Sequence, residues 1–150
     1  MPDKIFVAMK VPRQGDGQRE QLARQLAAWI AHVGYEPFIA YQEIQRQDNP
    51  SPQVFMPFVR QAMRTCRLAI ILYHPALRGG LIEAGLAYAE GIPIWVAHTT
   101  GEQVSSSLLG CAERVLAYRR PADLQEQLTQ ALQSLPSSET ISLTRKEPSA

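Results

Sequence analysis

Leu68-Ala69-Ile70-Ile71-Leu72-Tyr73 is an unbroken apolar and aromatic run with no polar residue alternating through it. A strand with one wet face alternates, whereas a strand covered on both faces reads as continuous apolar sequence. The stretch therefore predicts the centre of a parallel sheet. Working outward towards the C-terminus, His74 to Gly80 reads as a loop and Leu81 to Glu90 as a helix closed by Gly91. Ile92 to Ala97 is then the next strand. Working back, Val54 to Arg64 predicts a helix with Phe55, Phe58, Val59, Ala62 and Met63 on one side. Pro57 is expected near its first turn, where a missing N–H costs little.

The same alternation extends to both ends. Ile5 to Met9 is a strand, and Lys10 to Gln18 a polar loop. From Arg19 onward Leu22, Leu26, Trp29, Ile30 and Val33 recur at spacings of three and four, which marks an amphipathic helix. Gly34 sits where a left-handed cap belongs. Tyr35 to Tyr41 reads as a weaker strand interrupted by Pro37, and Gln42 to Pro52 as a surface loop. Beyond the fourth strand, Thr99 to Ser107 is polar, Leu108 to Ala112 gives one helical turn, and Val115 to Tyr118 is a fifth strand. Pro121 starts a last helix, with Leu124, Leu128, Ala131 and Leu135 on its inner face. Five strands alternating with helices predict a three-layer, flavodoxin- or Rossmann-like α/β domain over residues 1–135. Its five-stranded parallel sheet carries helices on both faces, and 2-1-3-4-5 is the expected strand order. Residues 136–150 are rich in Ser, Pro, Thr and charge and are expected to be a disordered tail.

Composition narrows the function. The chain has 150 residues, 45% of them apolar, which is ample for one core. Fifteen Lys and Arg against fourteen Asp and Glu give a net charge of +1, so neither nucleic acid nor a membrane surface is an expected partner. Two cysteines and three scattered histidines lack metal-ligand spacing, and Cys66 and Cys111 read as small buried thiols. The start of the chain has no leader-like pattern, and no apolar run approaches the length of a membrane span. A cytoplasmic protein is the expectation.

In a 2-1-3-4-5 sheet the ligand crevice opens between strands one and three at their C-terminal ends. That selects two loops, Lys10 to Gln18 and His74 to Glu83. The second leads into the most informative stretch, His74-Pro75-Ala76-Leu77-Arg78-Gly79-Gly80-Leu81-Ile82-Glu83-Ala84-Gly85. Gly79 and Gly80 allow backbone to approach a ligand. Glu83, in the first turn of an otherwise apolar helix, is a candidate nucleophile or base. Two plainer roles compete: an acidic residue favoured by the helix dipole, or, with Glu90 seven residues on, part of a solvated stripe. Tyr73 and His74 end the third strand and His98 the fourth, so all three are candidates for the crevice mouth. His74 and Tyr73 are the candidate proton-transfer partners of Glu83. Lys10, Arg13 and Arg78 carry charge on the crevice loops and suit a phosphate. Gly15-Asp16-Gly17 is not a dinucleotide fingerprint, and no P-loop is present. The helix from Leu81 is apolar nearly all round, which predicts burial against a second subunit as well as the sheet.

Gly79-Gly80-Leu81-Ile82-Glu83-Ala84-Gly85-Leu86-Ala87-Tyr88-Ala89, followed by Gly91-Ile92-Pro93-Ile94, resembles the nucleoside 2-deoxyribosyltransferase superfamily, which includes the deoxynucleoside monophosphate N-glycosidases. The resemblance runs more weakly from Ile5 to about Leu132. It implies that Glu83 is the nucleophile that attacks the anomeric carbon and releases the base, with no metal or dissociable cofactor. It also implies that Ser106 is a phosphate-binding serine able to reach across a dimer interface. The family's proton-transfer Asp falls on Phe58-Val59-Arg60-Gln61, which holds no carboxylate. Its first-strand Tyr falls on Ile5-Phe6-Val7, and two of its phosphate serines fall on Met9 and Leu77. The resemblance thus implies cleavage of an N-glycosidic bond in a nucleoside or nucleotide by a homodimer or higher homo-oligomer. Two alternatives stand beside it: a non-catalytic nucleotide-binding or scaffold protein on the same fold, and an NAD-cleaving hydrolase.

Overall fold

The computed structural model describes residues 3–48 and 51–136, so the expected tail from residue 137 lies outside the described residues. Five parallel strands form one sheet: β1 (Lys4–Ala8), β2 (Glu36–Ile39), β3 (Cys66–Leu72), β4 (Ile94–Thr99) and β5 (Arg114–Tyr118). Their order is β2-β1-β3-β4-β5, as expected. Alternation along each strand builds two cores. Ile5, Val7, Leu68, Ile70, Leu72, Trp95, Leu116 and Tyr118 face one side, where α1 (Gly17–Val33) and α6 (Pro121–Gln133) cover them. Phe6, Ala8, Ala69, Ile71, Ile94 and Val96 face the other side. There α2 (Ala40–Gln45), α3 (Pro52–Arg64), α4 (Gly79–Ala89) and α5 (Ser106–Cys111) close the third layer. Covered on both faces, β3 has no need of polar alternation, which explains its run of apolar residues.

Local chemistry sets the ends of these elements. The Asp16 side chain accepts a hydrogen bond from the Arg19 amide at 3.2 Å, so α1 starts at Gly17. At its far end Gly34 takes φ +104°, and the Gly34 and Tyr35 amides donate to the carbonyls of Ala31 and Ile30. That double bond is the reason a glycine stands there. Between Lys4 and Ile5 the β1–β3 register shifts by one residue, leaving Arg67 outside the ladder. Arg67 binds Asp3 at 3.1 Å and the carbonyl of Pro136, tying the ends of the described chain together.

Three expectations fail here. The segment from Gln42 is not all loop, because α2 runs from Ala40 to Gln45. Its Gln and Glu residues are sound helix formers, and burial of Ala40 and Tyr41 with packing of Ile44 supplies the rest. Pro57 lies inside α3 rather than in its first turn, because the helix already begins at Pro52. Its ring and the Gln53 residue one turn earlier are both exposed, leaving the freed carbonyl to water. Cys111, expected to be a buried thiol like Cys66, is only half-buried. No helix among the described residues is long and apolar enough to cross a membrane.

Candidate active site at the carboxyl ends of the strands

Glu83 is the buried charged residue among the described residues, 8% exposed. It lies in the second turn of α4, not the first, because that helix starts two residues before the expected Leu81. The dipole of the first turn therefore does not account for it. The solvated-stripe role fails too: Glu90 is exposed and pairs with Arg64 at 3.1 Å, while Glu83 packs inward with Gly80, Ala84 and Ala87. Its carboxylate makes no hydrogen bond or ion pair among the described residues, yet neither oxygen is fully sealed from solvent. Loss of hydration alone pushes its pKa from 4.5 up to about 8. Glu83 is thus a carboxyl group held among apolar residues with a small part of its surface left to solvent.

One turn earlier, α4 meets a crevice of about 180 Å³ just past the carboxyl end of β1. Lys10 and Val11 line one side, and Arg78, Gly79 and Gly80 the other. The two glycines have different roles. A Cβ on Gly79 meets nothing within 4 Å, but a Cβ on Gly80 falls 2.6 Å from Leu77 Cδ1 and 2.9 Å from its Cγ. Leu77 is itself buried in the second core, so its side chain must shift to admit the Cβ. Gly80→Ala is expected to cost about 1–3 kcal/mol, and Gly79→Ala to lie within about 0.5 kcal/mol of the wild type. Urea unfolding of the pair checks this, and equal stabilities would show that Leu77 yields.

The remaining candidates separate into groups. Tyr73 packs against the second core, on the Glu83 face of the sheet, and its hydroxyl donates to the carbonyl of Gln103 at 3.3 Å. By strand alternation from Ala97, His98 points to that same face, and its Nδ1 donates to the Thr99 carbonyl at 2.8 Å. His74 lines a second cleft with Arg19 and Glu102, whose lining Tyr73 also reaches, and the His74 Nδ1 accepts from the Ala76 amide at 3.0 Å. Desolvation first, then Arg19 and Lys10, lowers its pKa, so the ring is neutral at pH 7. Arg13 is exposed in the β1–α1 loop, and Ser106 is the exposed first residue of α5. Lys10, Arg78, Gly79 and Gly80 therefore meet in one crevice at the start of α4, and none of Tyr73, His74 and His98 lines it. No group of three metal-ligating side chains occurs among the described residues.

No family model and no curated protein matches the sequence. Solved structures do match. A CMP N-glycosidase of Clostridium botulinum superposes with a TM-score of 0.68 at 19% identity, over 86% of this chain and 99% of that one. A 2-deoxyribosyltransferase of Bacillus psychrosaccharolyticus gives 0.62 at 15% identity, covering 89% and 98%. A conserved protein of Enterococcus faecalis gives 0.63 at 17%, covering 87% and 99%.

The fold is that of the nucleoside 2-deoxyribosyltransferases.

Within the deoxyribosyltransferase fold, the crevice and Glu83 sit at the point where strand order reverses between β1 and β3, the place such sheets offer to ligands. A signal for Glu83 was present in the sequence, as the one acidic residue in the body of an apolar helix. The second cleft carried no such signal. It is assembled from the start of α1 and the ends of β3, β4 and β5, and no single stretch announces it.

Proposed function

We propose that the protein cleaves the N-glycosidic bond of a nucleoside or nucleotide, with Glu83 as the nucleophile and residues 1–135 as the catalytic domain. The observation that carries this is the solitary buried carboxyl of Glu83, on the helix whose first residues, Gly79 and Gly80, line a crevice. Poorly hydrated and unpaired, its ionised form gains from meeting a carbon that is becoming positive. A Glu83 oxygen attacks the anomeric carbon, the carbon–nitrogen bond breaks, and the base departs with the electron pair and takes up a proton. Water then opens the glycosyl ester, or a second base does so in a transferase. Tyr73 and His98, on the same sheet face, are the nearest-placed proton donors by topology. Lys10 and Arg78, with Arg13 behind them, suit a phosphate on the substrate, and Ser106 is the serine that the family pattern assigns to it.

The unpartnered apolar surface of α4 supports a homo-oligomer. Ile82 and Tyr88 are each 63% exposed, with Leu81 beside them and Leu109 on the adjoining α5. A second copy of the chain laid across α4 shields that surface.

A second reading, nucleotide binding without turnover, is favoured by the absence of a carboxylate in Phe58–Gln61 and of any polar partner for Glu83 among the described residues. Chromatography of released base separates the two. Deoxynucleosides, ribonucleosides, their 5′-monophosphates and NAD are incubated with wild type and with Glu83→Gln. Release that vanishes in the variant is the expected result, and nicotinamide as the released base identifies an NAD hydrolase. No release from any of them, by folded protein, leaves the binding reading. A nucleophile must be ionised, so the rate is expected to climb with pH to a plateau above about 8. A rate that falls across that range assigns Glu83 as an acid instead.

A further inference from the structure

A larger cavity lies mainly on the opposite face of the sheet from Glu83. It is a cleft of about 570 Å³ bounded by the first turns of α1, the ends of β3, β4 and β5, and the start of α6. Of the residues given a role beside Glu83, Tyr73 alone reaches its lining.

Three features describe what it is built to hold. First, Tyr118 lines it and is only 7% exposed, yet its hydroxyl makes no hydrogen bond among the described residues. The oxygen is not sealed. Desolvation, with the nearby charge of Glu102, keeps the phenol protonated, so a donor waits in the cleft wall. A buried hydroxyl without a partner is costly, and a bound molecule relieves that cost. Second, Gln18, Gln21 and Gln25 recur at spacings of three and four, so all three line the cleft from one face of α1. None of their side-chain amides is spent on the described protein. Each presents an acceptor beside donors, the complement of an amide or lactam edge. Third, the cleft carries no net charge: Arg19 and Arg119 balance Asp16 and Glu102. Asp16 is paired with Arg19 at 3.1 Å, and Glu102 accepts from the Thr99 hydroxyl at 3.0 Å.

The helix termini at the rim do not favour an anion. Asp16 already caps α1, and Asp123 accepts from the Arg119 and Arg120 amides at 3.3 and 3.0 Å. What remains open is a neutral, amide-rich surface with one buried phenol. We infer that this cleft is a second small-molecule site, which takes an uncharged heterocycle bearing amide or lactam groups, held by the Tyr118 hydroxyl and the Gln18–Gln21–Gln25 stripe. The volume is ample for such a molecule.

The test uses the full chain, labelled with nitrogen-15 and titrated separately with uracil, hypoxanthine and nicotinamide. Saturable shifts are expected at the side-chain amides of Gln18, Gln21 and Gln25 and at the backbone of residues 99–100 and 118–119, with at least one probe. Glu83→Gln should bind that probe with unchanged affinity, so a failure of the glycosidase reading leaves this result standing. Tyr118→Phe removes only the hydroxyl and is expected to weaken binding about five- to tenfold. Should that variant unfold, Gln21→Ala, an exposed helix position, serves in its place with the same expectation. Three results overturn the inference: no saturable shift at the α1 amides with any probe, shifts confined to residues 9–11 and 76–80, or full affinity in the folded variant.

Discussion

Glu83→Gln should make the protein more stable than wild type at pH 9 and leave it close to wild type at pH 5. In the folded protein the carboxyl titrates at about 8, and in the unfolded chain near its ordinary 4.5. Below 4.5 both states hold the proton and the residue is neutral in each. Between 4.5 and 8 the unfolded chain has released it while the folded protein retains it, so the folded state loses ground steadily as pH rises. Above 8 both are ionised, and the full cost of the buried charge is present. A shift of this size corresponds to on the order of 4–5 kcal/mol. The amide of glutamine is also buried without a partner, but that cost is the same at every pH and cancels in the comparison. Urea unfolding of both proteins at pH 5 and pH 9 gives the two differences directly. Equal differences at the two pH values would mean that Glu83 is hydrated or paired in solution, and its role as a solitary nucleophile would fall with them. A protein that keeps so unfavourable a residue in its second core gains nothing structurally from it, which is the pattern that functional carboxyls show.

Trp95→Ala is expected to remove about 3–5 kcal/mol of stability, which for a domain of this size is a large fraction of the whole. Trp95 is 2% exposed on β4, in the layer beneath α1 and α6. Its ring also lies 5.0 Å from the Arg114 guanidinium on the neighbouring edge strand, a contact that adds to the loss. Neither side of the cavity left behind collapses easily, because β3 and β5 hold β4 in register. The urea midpoint should fall at unchanged slope. A loss under about 1 kcal/mol would show that α6 settles into the space. Near-normal base release by the surviving folded fraction is also expected, since Trp95 faces away from the Glu83 side.

The sheet was readable from residues because its signals are local and strong. The apolar run ending at Tyr73, the three-and-four spacing from Leu22 to Val33 and the glycine at position 34 each have one physical meaning. Glu83 was readable for a similar reason: a carboxylate in an apolar helix conflicts with its surroundings. Its depth was not readable, because placing it needed the start of α4, and Gly79-Gly80 reads as loop until the Leu77 contact is seen. The α2 turn was hidden because its stability comes from burial of Tyr41 and packing of Ile44 rather than from its own pattern. That Tyr73 and His74 share the lining of the second cleft was not readable, because the strand ends at Leu72 and alternation no longer places them. Tyr118 gave no sign as a strand residue that its hydroxyl lacks a partner, since that depends on what four distant segments leave empty.

One modest residue governs how copies of this chain can meet. β2 is an outer strand of four residues, and Pro37 sits inside it, opposite Ile5 in the register. A proline survives there only with its nitrogen turned to the open side, so the free border lacks a donor at its midpoint. A strand arriving from another molecule would find one rung of its ladder missing and too few others to compensate. Growth by strand addition, the usual route from a soluble sheet to a fibril, is thereby discouraged at this border, which leaves β5 as the edge where another strand could pair.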